Sequence, residues 1–393
     1  ARADEFEVGG GILAGSRLLT GAGYKLKTQA IDLAEVGAGG GSLVWIDMGG
    51  ALQIGPQSAG ASPGPVCYDA GGEEPTVTDA NLILGYLNPV SLAGGSVQLN
   101  AEKARDVFAA KVAQPLGLSL EDAALGAHRV AASNMIRAIK SVSTERGRDP
   151  RSYALFAFGG NGPLFAAGMA AELGIGRVVV PPAPGVFSAF GLLYADVEHH
   201  YTRTQRRLLA QSDPAEIGAL WAALEDEGRA QLARDGFPPE RQQLRRSASL
   251  HYKGQTFELT VAAPDGDIDR AALDRLAEAF HHEHETVYGH RASDAEPVEL
   301  VTLRLLARGL PEERLRPAAM TPVATSSSPS AEVRNAYFGL EHGWLAAKIL
   351  KRGDLAGTQS GPSIVEEYDA TCVIPPGWAG VIDEHGNIVL TRA

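Results

Sequence analysis

An α/β fold, extended by an α+β segment and a β-rich C-terminal unit, is what this chain of 393 residues predicts. Three observations carry the prediction. An apolar strand at 154–158 leads through a glycine turn into a helix-patterned segment at 163–173 and then the apolar Val178-Val179-Val180, a β-α-β unit that implies parallel strands and a right-handed crossover. Short strand patterns broken by glycine turns fill residues 1 to about 95. Beyond residue 205 charged helical patterns alternate with strands, and the end of the chain is a series of short strands between glycines and prolines.

Taken in order, Leu43–Ile46 and Leu52–Ile54 flank Asp47-Met48-Gly49-Gly50 and predict a hairpin. From Ala101 to Ser141 the period becomes helical, first over Ala104–Val112 and then over a longer helix from Ser119 to Lys140. Ser119 stands three residues before Asp122, as an N-cap ahead of an acidic first turn, and Leu125, Ala132, Met135, Ile136 and Ile139 share one apolar stripe. A boundary is expected near 205, after Asp196-Val197-Glu198-His199-His200. Helices at about 213–235 and 268–288, with strands around 244–262, make residues 206–320 an α+β domain. Pro322–Ser330 is poor in bulky apolar residues and predicts a flexible loop. Strands at Ser363–Glu366, Thr371–Ile374 and Asn387–Leu390 make residues 321–393 a β-rich unit.

Composition excludes several classes of function. With 45% hydrophobic residues the chain can bury a substantial core, while 47 acidic against 35 basic residues, a formal charge of −12, argue against nucleic acid or an anionic membrane as partner. Only Cys67 and Cys372 are present, which predicts no disulfide framework and favours the cytoplasm. Ala1–Val8 lacks the basic start and apolar core of a signal peptide, and no apolar run approaches the ~20 residues of a spanning helix.

The segment Phe156–Phe165 carries the chemistry. Its turn, Gly159-Gly160-Asn161-Gly162, opens directly onto a helix, leaving backbone N–H groups for a ligand and space where a Cβ would block approach, as nucleotide sites require. The same turn also serves as a plain connector in α/β folds. Gly39, Gly40, Gly41 and Ser42, within Gly37–Ser42, present amides suited to phosphate, and Gly55–Tyr68 forms a constrained proline and glycine loop. Both also read as structural turns.

Asp79, in Thr76–Asn81, supplies a carboxylate for catalysis or a metal, or else caps a helix. Cys67 is a metal ligand, a nucleophile or a small buried hydrophobe. His281 and His284 can share a helix face with His282 and His290 nearby, either as a metal site or as a solvated helix end, although the order is not His-Glu-x-x-His. Gln255 contacts a substrate amide or pairs within a sheet, and Arg151 of Asp149-Pro150-Arg151 meets phosphate or makes a surface ion pair.

In order and spacing these segments, with Pro184–Gly191, Tyr252–Gln255 and Ser360–Glu367, resemble the hydantoinase A / 5-oxoprolinase family, which includes the nucleotide-binding subunits of acetone and acetophenone carboxylases. The resemblance covers essentially the whole chain. It implies an actin-like ATPase lobe of the ribonuclease-H-like kind over residues 1–205, with adenosine at Gly159, Gly160 and Gly162. The phosphate hairpins of that fold are not recognisable here: Asp47–Gly50 is followed by Ala51-Leu52, where a hydroxyl and a second Asp belong. The chain therefore resembles the C-terminal portion of a longer member, expected to need an N-terminal ATPase portion or other subunits. Phe165 stands where relatives commonly carry His.

The implied function is an ATP-dependent amidohydrolase using ATP, Mg²⁺ and an additional divalent metal to phosphorylate a cyclic amide or carbonyl. Two alternatives stay open: a ketone carboxylase subunit, and a nucleotide-binding or scaffold subunit without chemistry of its own.

Overall fold

The structure is a computed structural model that describes residues 33–292, 296–312, 332–355 and 357–392 in full, together with the strand backbones within residues 3–31. The segment Pro322–Ser330 lies outside the described residues. The strands β1 (Ala3–Val8), β2 (Ile12–Ala14), β3 (Arg17–Leu19) and β4 (Leu26–Ile31) pair antiparallel, β1 with β4 and β2 with β3.

The expected hairpin is β5 (Ser42–Ile46) with β6 (Leu52–Ser58). Its turn forms because the Asp47 carboxylate accepts hydrogen bonds from the Gly49 and Ala51 amides and from Gln53 Nε2. The hydrogen bond from the Ala51 amide is the main reason that this carboxyl lies below its usual pKa. Next come α1 (Val77–Ile83) and the short pair β7 (Ser91–Leu92) and β8 (Val97–Gln98). The first predicted helix starts earlier than expected, as α2 (Ala101–Phe108), passes through a π-turn at Ala109–Ala113 and ends in α3 (Gln114–Leu116). The longer helix is α4 (Leu120–Ser141), with Ser119 accepting from the Asp122 amide as foreseen. Of its stripe, Leu125, Ala132 and Ile136 are buried, and Met135 and Ile139 pack against the same core.

The β-α-β unit is β9 (Leu155–Phe156), α5 (Gly162–Leu173) and β10 (Arg177–Val180), with β9 and β10 parallel. A short apolar helix, α6 (Phe187–Leu192), follows.

The second body is a four-stranded antiparallel sheet with two helices: β11 (Val197–Leu208), α7 (Pro214–Arg234), β12 (Gln242–Tyr252), β13 (Leu259–Ala262), α8 (Arg270–Tyr288) and β14 (Val298–Gly309), in strand order β11-β14-β12-β13. Consecutive residues of the central β14 are buried, so both of its faces are covered. Trp221, Leu250, Phe280 and Leu305 form the core of this body. The expected boundary near 205 falls inside β11, which pairs with β14 along its length, so this body includes the chain from Val197.

The final strands are β15 (Val333–Tyr337), β16 (Trp344–Leu350), β17 (Gln359–Ser360), β18 (Ser363–Glu366), β19 (Thr371–Ile374), β20 (Trp378–Ile382) and β21 (Ile388–Arg392). They do not stand apart as a unit of their own. β21 pairs with β10, giving a sheet β17-β20-β21-β10-β9, while β15-β16-β18-β19 form a second sheet. α5 packs between β10 of one sheet and β19 of the other. One core accordingly runs from Phe108 and Phe165 to Ile364 and Trp378. Arg352 ties the pieces together: its guanidinium donates to both oxygens of Glu367 and to the carbonyls of Val180, Pro181 and Gly386.

Candidate functional site

The turn after β9 is built by two backbone features. Gly159 adopts φ +82°, a left-handed conformation costly for other residues, and its N–H donates to Pro184 O at 2.7 Å. Pro163 sits in the first turn of α5, and Asn161 at the N-cap makes no side-chain cap to its own helix. The Asn161 amide instead lies against Gly40, where an added Cβ would collide with Nδ2 and stand 2.7 Å from Thr78 Oγ1.

Gly40 is held in place by the N-terminus of α1, because its carbonyl accepts from the Thr78 amide at 2.9 Å. Around it, Gly39 N–H donates to Ser42 Oγ at 2.9 Å, Ser42 N–H donates to Gly39 O at 3.1 Å, and the Gly41 carbonyl accepts from Ala59 at 2.8 Å. Both glycine-rich segments singled out in the sequence, Gly39–Ser42 and Gly159–Gly162, thus meet at one place, with Gly40 and Asn161 as the point of contact. The turn amides and the uncapped start of α5 form a surface suited to a polar or anionic ligand.

A third segment closes this ring. The Gly185 N–H donates to Asp369 Oδ2 at 2.8 Å, and the Asp369 carbonyl lies 3.6 Å from where a Gly160 Cβ would be. Asp369 stands in the turn between β18 and β19. Neither Asp369 nor Thr78 was a candidate from sequence, since each reaches the turn only through contacts between distant strands and helices.

Of the readings weighed for Asp79 and Cys67, the structure shows the helix-capping carboxylate and the small buried hydrophobe, not the catalytic or metal-binding roles. Asp79 is fully buried, and its carboxylate accepts from the amides of Val66 (3.2 Å), Cys67 (2.8 Å) and Thr76 (2.8 Å) and from Thr76 Oγ1 (2.7 Å). The Asp79 amide in turn donates to Thr76 Oγ1, completing a capping box at the start of α1. With four donors on its two oxygens the carboxylate organises the 66–79 loop. Cys67 is likewise fully buried, and desolvation, then the nearby Asp79 charge, hold its thiol far above the usual range, as a neutral hydrophobic group.

Beneath the site, His128 Nδ1 is 2.8 Å from Asn81 Oδ1, and the imidazole stacks on Phe165 with ring centroids 4.3 Å apart. Burial pushes His128 down to about 3, with the Arg129 charge adding to the effect, although part of the residue's surface remains accessible. Asn81 Nδ2 is enclosed without a hydrogen-bond partner. Phe165, where a His was looked for, is part of the packing under the turn.

This geometry coincides with a match along the length of the chain. Residues 4–201 match the model of the hydantoinase/oxoprolinase family and residues 205–392 that of the hydantoinase/oxoprolinase C-terminal domain. The chain belongs to the hydantoinase/oxoprolinase family. It is similar to the caprolactamase subunit alpha of Pseudomonas jessenii, 35% identical over 94% of this chain and 53% of that subunit. It is also similar to the acetophenone carboxylase gamma subunit of Aromatoleum aromaticum, 33% identical over 93% of this chain and 52% of that subunit. Among solved structures, the ATP-dependent caprolactamase from Pseudomonas jessenii superposes with a TM-score of 0.84 at 34% identity, over 94% of this chain and 54% of that one. The chain spans about half the length of these relatives.

The remaining candidates of this family member lie away from the ring. Arg151 forms a bidentate ion pair with Asp149, the surface pairing among the readings weighed. Gln255 is exposed in the turn after β12, its amide bonded to Tyr252 O, and not within the sheet. His281 and His284 are neither a solvated helix end nor part of a metal cluster. Both are buried on the inner face of α8, where Tyr252 Oη lies 2.7 Å from His281 Nδ1. Among the described residues no group of three or more His, Cys, Asp or Glu side chains could hold a metal ion, and Asp79 and Cys67 are engaged as described. These residues do not fit Mg²⁺ or a further divalent metal. No described helix is long and apolar enough to cross a membrane.

Proposed function

We propose that this chain provides the adenosine side of the nucleotide site in an ATP-dependent amidohydrolase of the hydantoinase/oxoprolinase type. The observation that carries this reading is the meeting of Gly39–Ser42 with Gly159–Gly162 at the uncapped start of α5. The ATP dependence of the Pseudomonas jessenii caprolactamase supports it. In the proposal the turn at Gly159 and Gly160 leaves room for the nucleoside, Asn161 and Gly40 fix the turn, and Asp369 offers a carboxylate acceptor for a sugar hydroxyl.

The substrate class proposed is a cyclic amide. Its carbonyl oxygen attacks the γ-phosphorus of ATP, ADP leaves, and the weakened amide carbon accepts water. The C–N bond then breaks with the ring nitrogen taking a proton, and a second water releases inorganic phosphate from the resulting acyl phosphate. The residues described here orient the nucleotide. Phosphate and metal ligands are assigned to the part of the protein's length that this chain does not span.

The test is ADP release dependent on a cyclic amide, measured on this chain assembled with that remaining part. A Cβ at Gly160 meets nothing closer than 3.6 Å, so the turn accommodates Gly160→Ala. This substitution is expected to raise KM for ATP at least tenfold, and an unchanged KM would remove the assignment. A second reading, a ketone carboxylase subunit, is favoured by the likeness to acetophenone carboxylase. Labelled bicarbonate appearing in the product would select it; amide loss without incorporation would select the hydrolase.

A further inference from the structure

Residues Val186–Ala195 are Val-Phe-Ser-Ala-Phe-Gly-Leu-Leu-Tyr-Ala, ten in a row without a charge, and none is buried. α6 lies within them and buries no residue. Phe156, Phe158 and Phe187 extend the surface as a triangle of rings with centroids 5.4–6.0 Å apart, and Phe187, Phe190 and Tyr194 continue it. Leu192 and Leu193 are 76% and 66% exposed. Contiguous apolar surface of this kind on a water-soluble body marks an interface. Tyr194 Oη is enclosed yet has no partner, so a polar group is also missing here.

Beside this patch the five-stranded sheet ends. Its order places β9 at the edge, bonded to β10 on one side and to no strand on the other among the described residues. An uncovered parallel edge next to an uncovered apolar helix is what a hydrophobic core looks like when part of it is removed. The relatives supply the scale, since this chain spans about half their length.

We propose that α6, the Phe156–Phe158 edge and Leu192–Leu193 form the surface on which the remaining part of a hydantoinase/oxoprolinase polypeptide packs. This rests on family membership and on the exposed surface, and it is independent of the nucleotide reading. The patch is uncharged in a chain of net charge −12, which fits a core-like contact better than an electrostatic one.

The probe is the half of the Pseudomonas jessenii caprolactamase subunit alpha that this chain does not match, mixed with this chain without nucleotide and followed by sedimentation velocity. A one-to-one complex is expected, weakened at least tenfold by Leu192→Asp and by Leu193→Asp. Leu118→Asp, at an exposed apolar site elsewhere, leaves binding unchanged, and all three variants keep the melting temperature of the free chain. As a second measurement, the same half fused ahead of this chain protects the amides of 186–195 from hydrogen exchange. Absence of a complex together with fast exchange in the fusion would overturn the proposal. So would equal binding by the variants, self-association of this chain that Leu192→Asp abolishes, or binding to phosphatidylcholine vesicles lost in the same variant. Assembly without ATP turnover would remove the nucleotide site and leave this surface standing.

Discussion

The helices α5 and α6 are both apolar, lie close together in sequence, and meet opposite environments. α5 buries eight residues between β10 and β19, while α6 buries none. Phe165 on α5 is 1% exposed and stacked on His128, whereas Leu192 on α6 faces solvent. The hydrophobic content of a helix states only that burial would be favourable. Whether a partner reaches it depends on which strands the rest of the chain brings alongside.

The sharpest way to break this contrast is to truncate a side chain on each helix. Phe165→Ala is expected to cost about 3–5 kcal/mol in urea unfolding, because it removes a closely packed ring and leaves a cavity. Leu192→Ala in the free chain should stay within about 0.5 kcal/mol. Similar losses at both positions would show that α6 is covered after all.

Next in size is Asp79→Ala, expected to cost about 3 kcal/mol because it strands the amides of Val66, Cys67 and Thr76 in a buried place. Were Asp79 catalytic, Asp79→Asn would abolish turnover in the assembled enzyme while leaving the melting curve in place. The structure predicts the reverse order, with stability lost first. Gly40→Ala should cost about 1–3 kcal/mol, since its Cβ has no room beside Thr78 and Asn161.

Taken per pH unit, the smallest effect on the buried side is a slope of stability against pH. His128 is depressed to about 3 in the fold against an ordinary value of 6.5, so the unfolded chain binds the extra proton between those limits. Its contribution to stability is therefore complete above pH 6.5 and falls as the solution is acidified, by at most about 1.4 kcal/mol per pH unit. His128→Asn should flatten the slope of unfolding free energy against pH between 4 and 6.5. An unchanged slope would show that the imidazole is not shielded.

Elements set by short-range patterns were legible from the residues alone. Ser119 before the stripe of α4, the Asp47 turn between β5 and β6, and the β-α-β order around Gly159–Gly162 all follow from contacts within a few residues. The readings that failed needed distant partners. The catalytic and metal-binding readings of Asp79 fail because the 66–67 backbone folds onto its carboxylate, which leaves the helix-capping one. His281 and His284 looked solvated until α8 was seen to turn them toward Tyr252. Asp369 gave no signal because its partner, the Gly185 amide, lies on the other side of a sheet junction.

Hydrophobic period, capping residues and glycine punctuation sufficed to define helices and turns, since each acts over a few bonds of chain, while the family was legible only through the resemblance of whole motifs. Tertiary packing alone decided that the last strands complete the sheet of β10, that Asp79 is structural, and that α6 buries no residue among the described ones. Those outcomes depend on burial and hydrogen-bond satisfaction between segments far apart, and that free energy is absent until the segments meet.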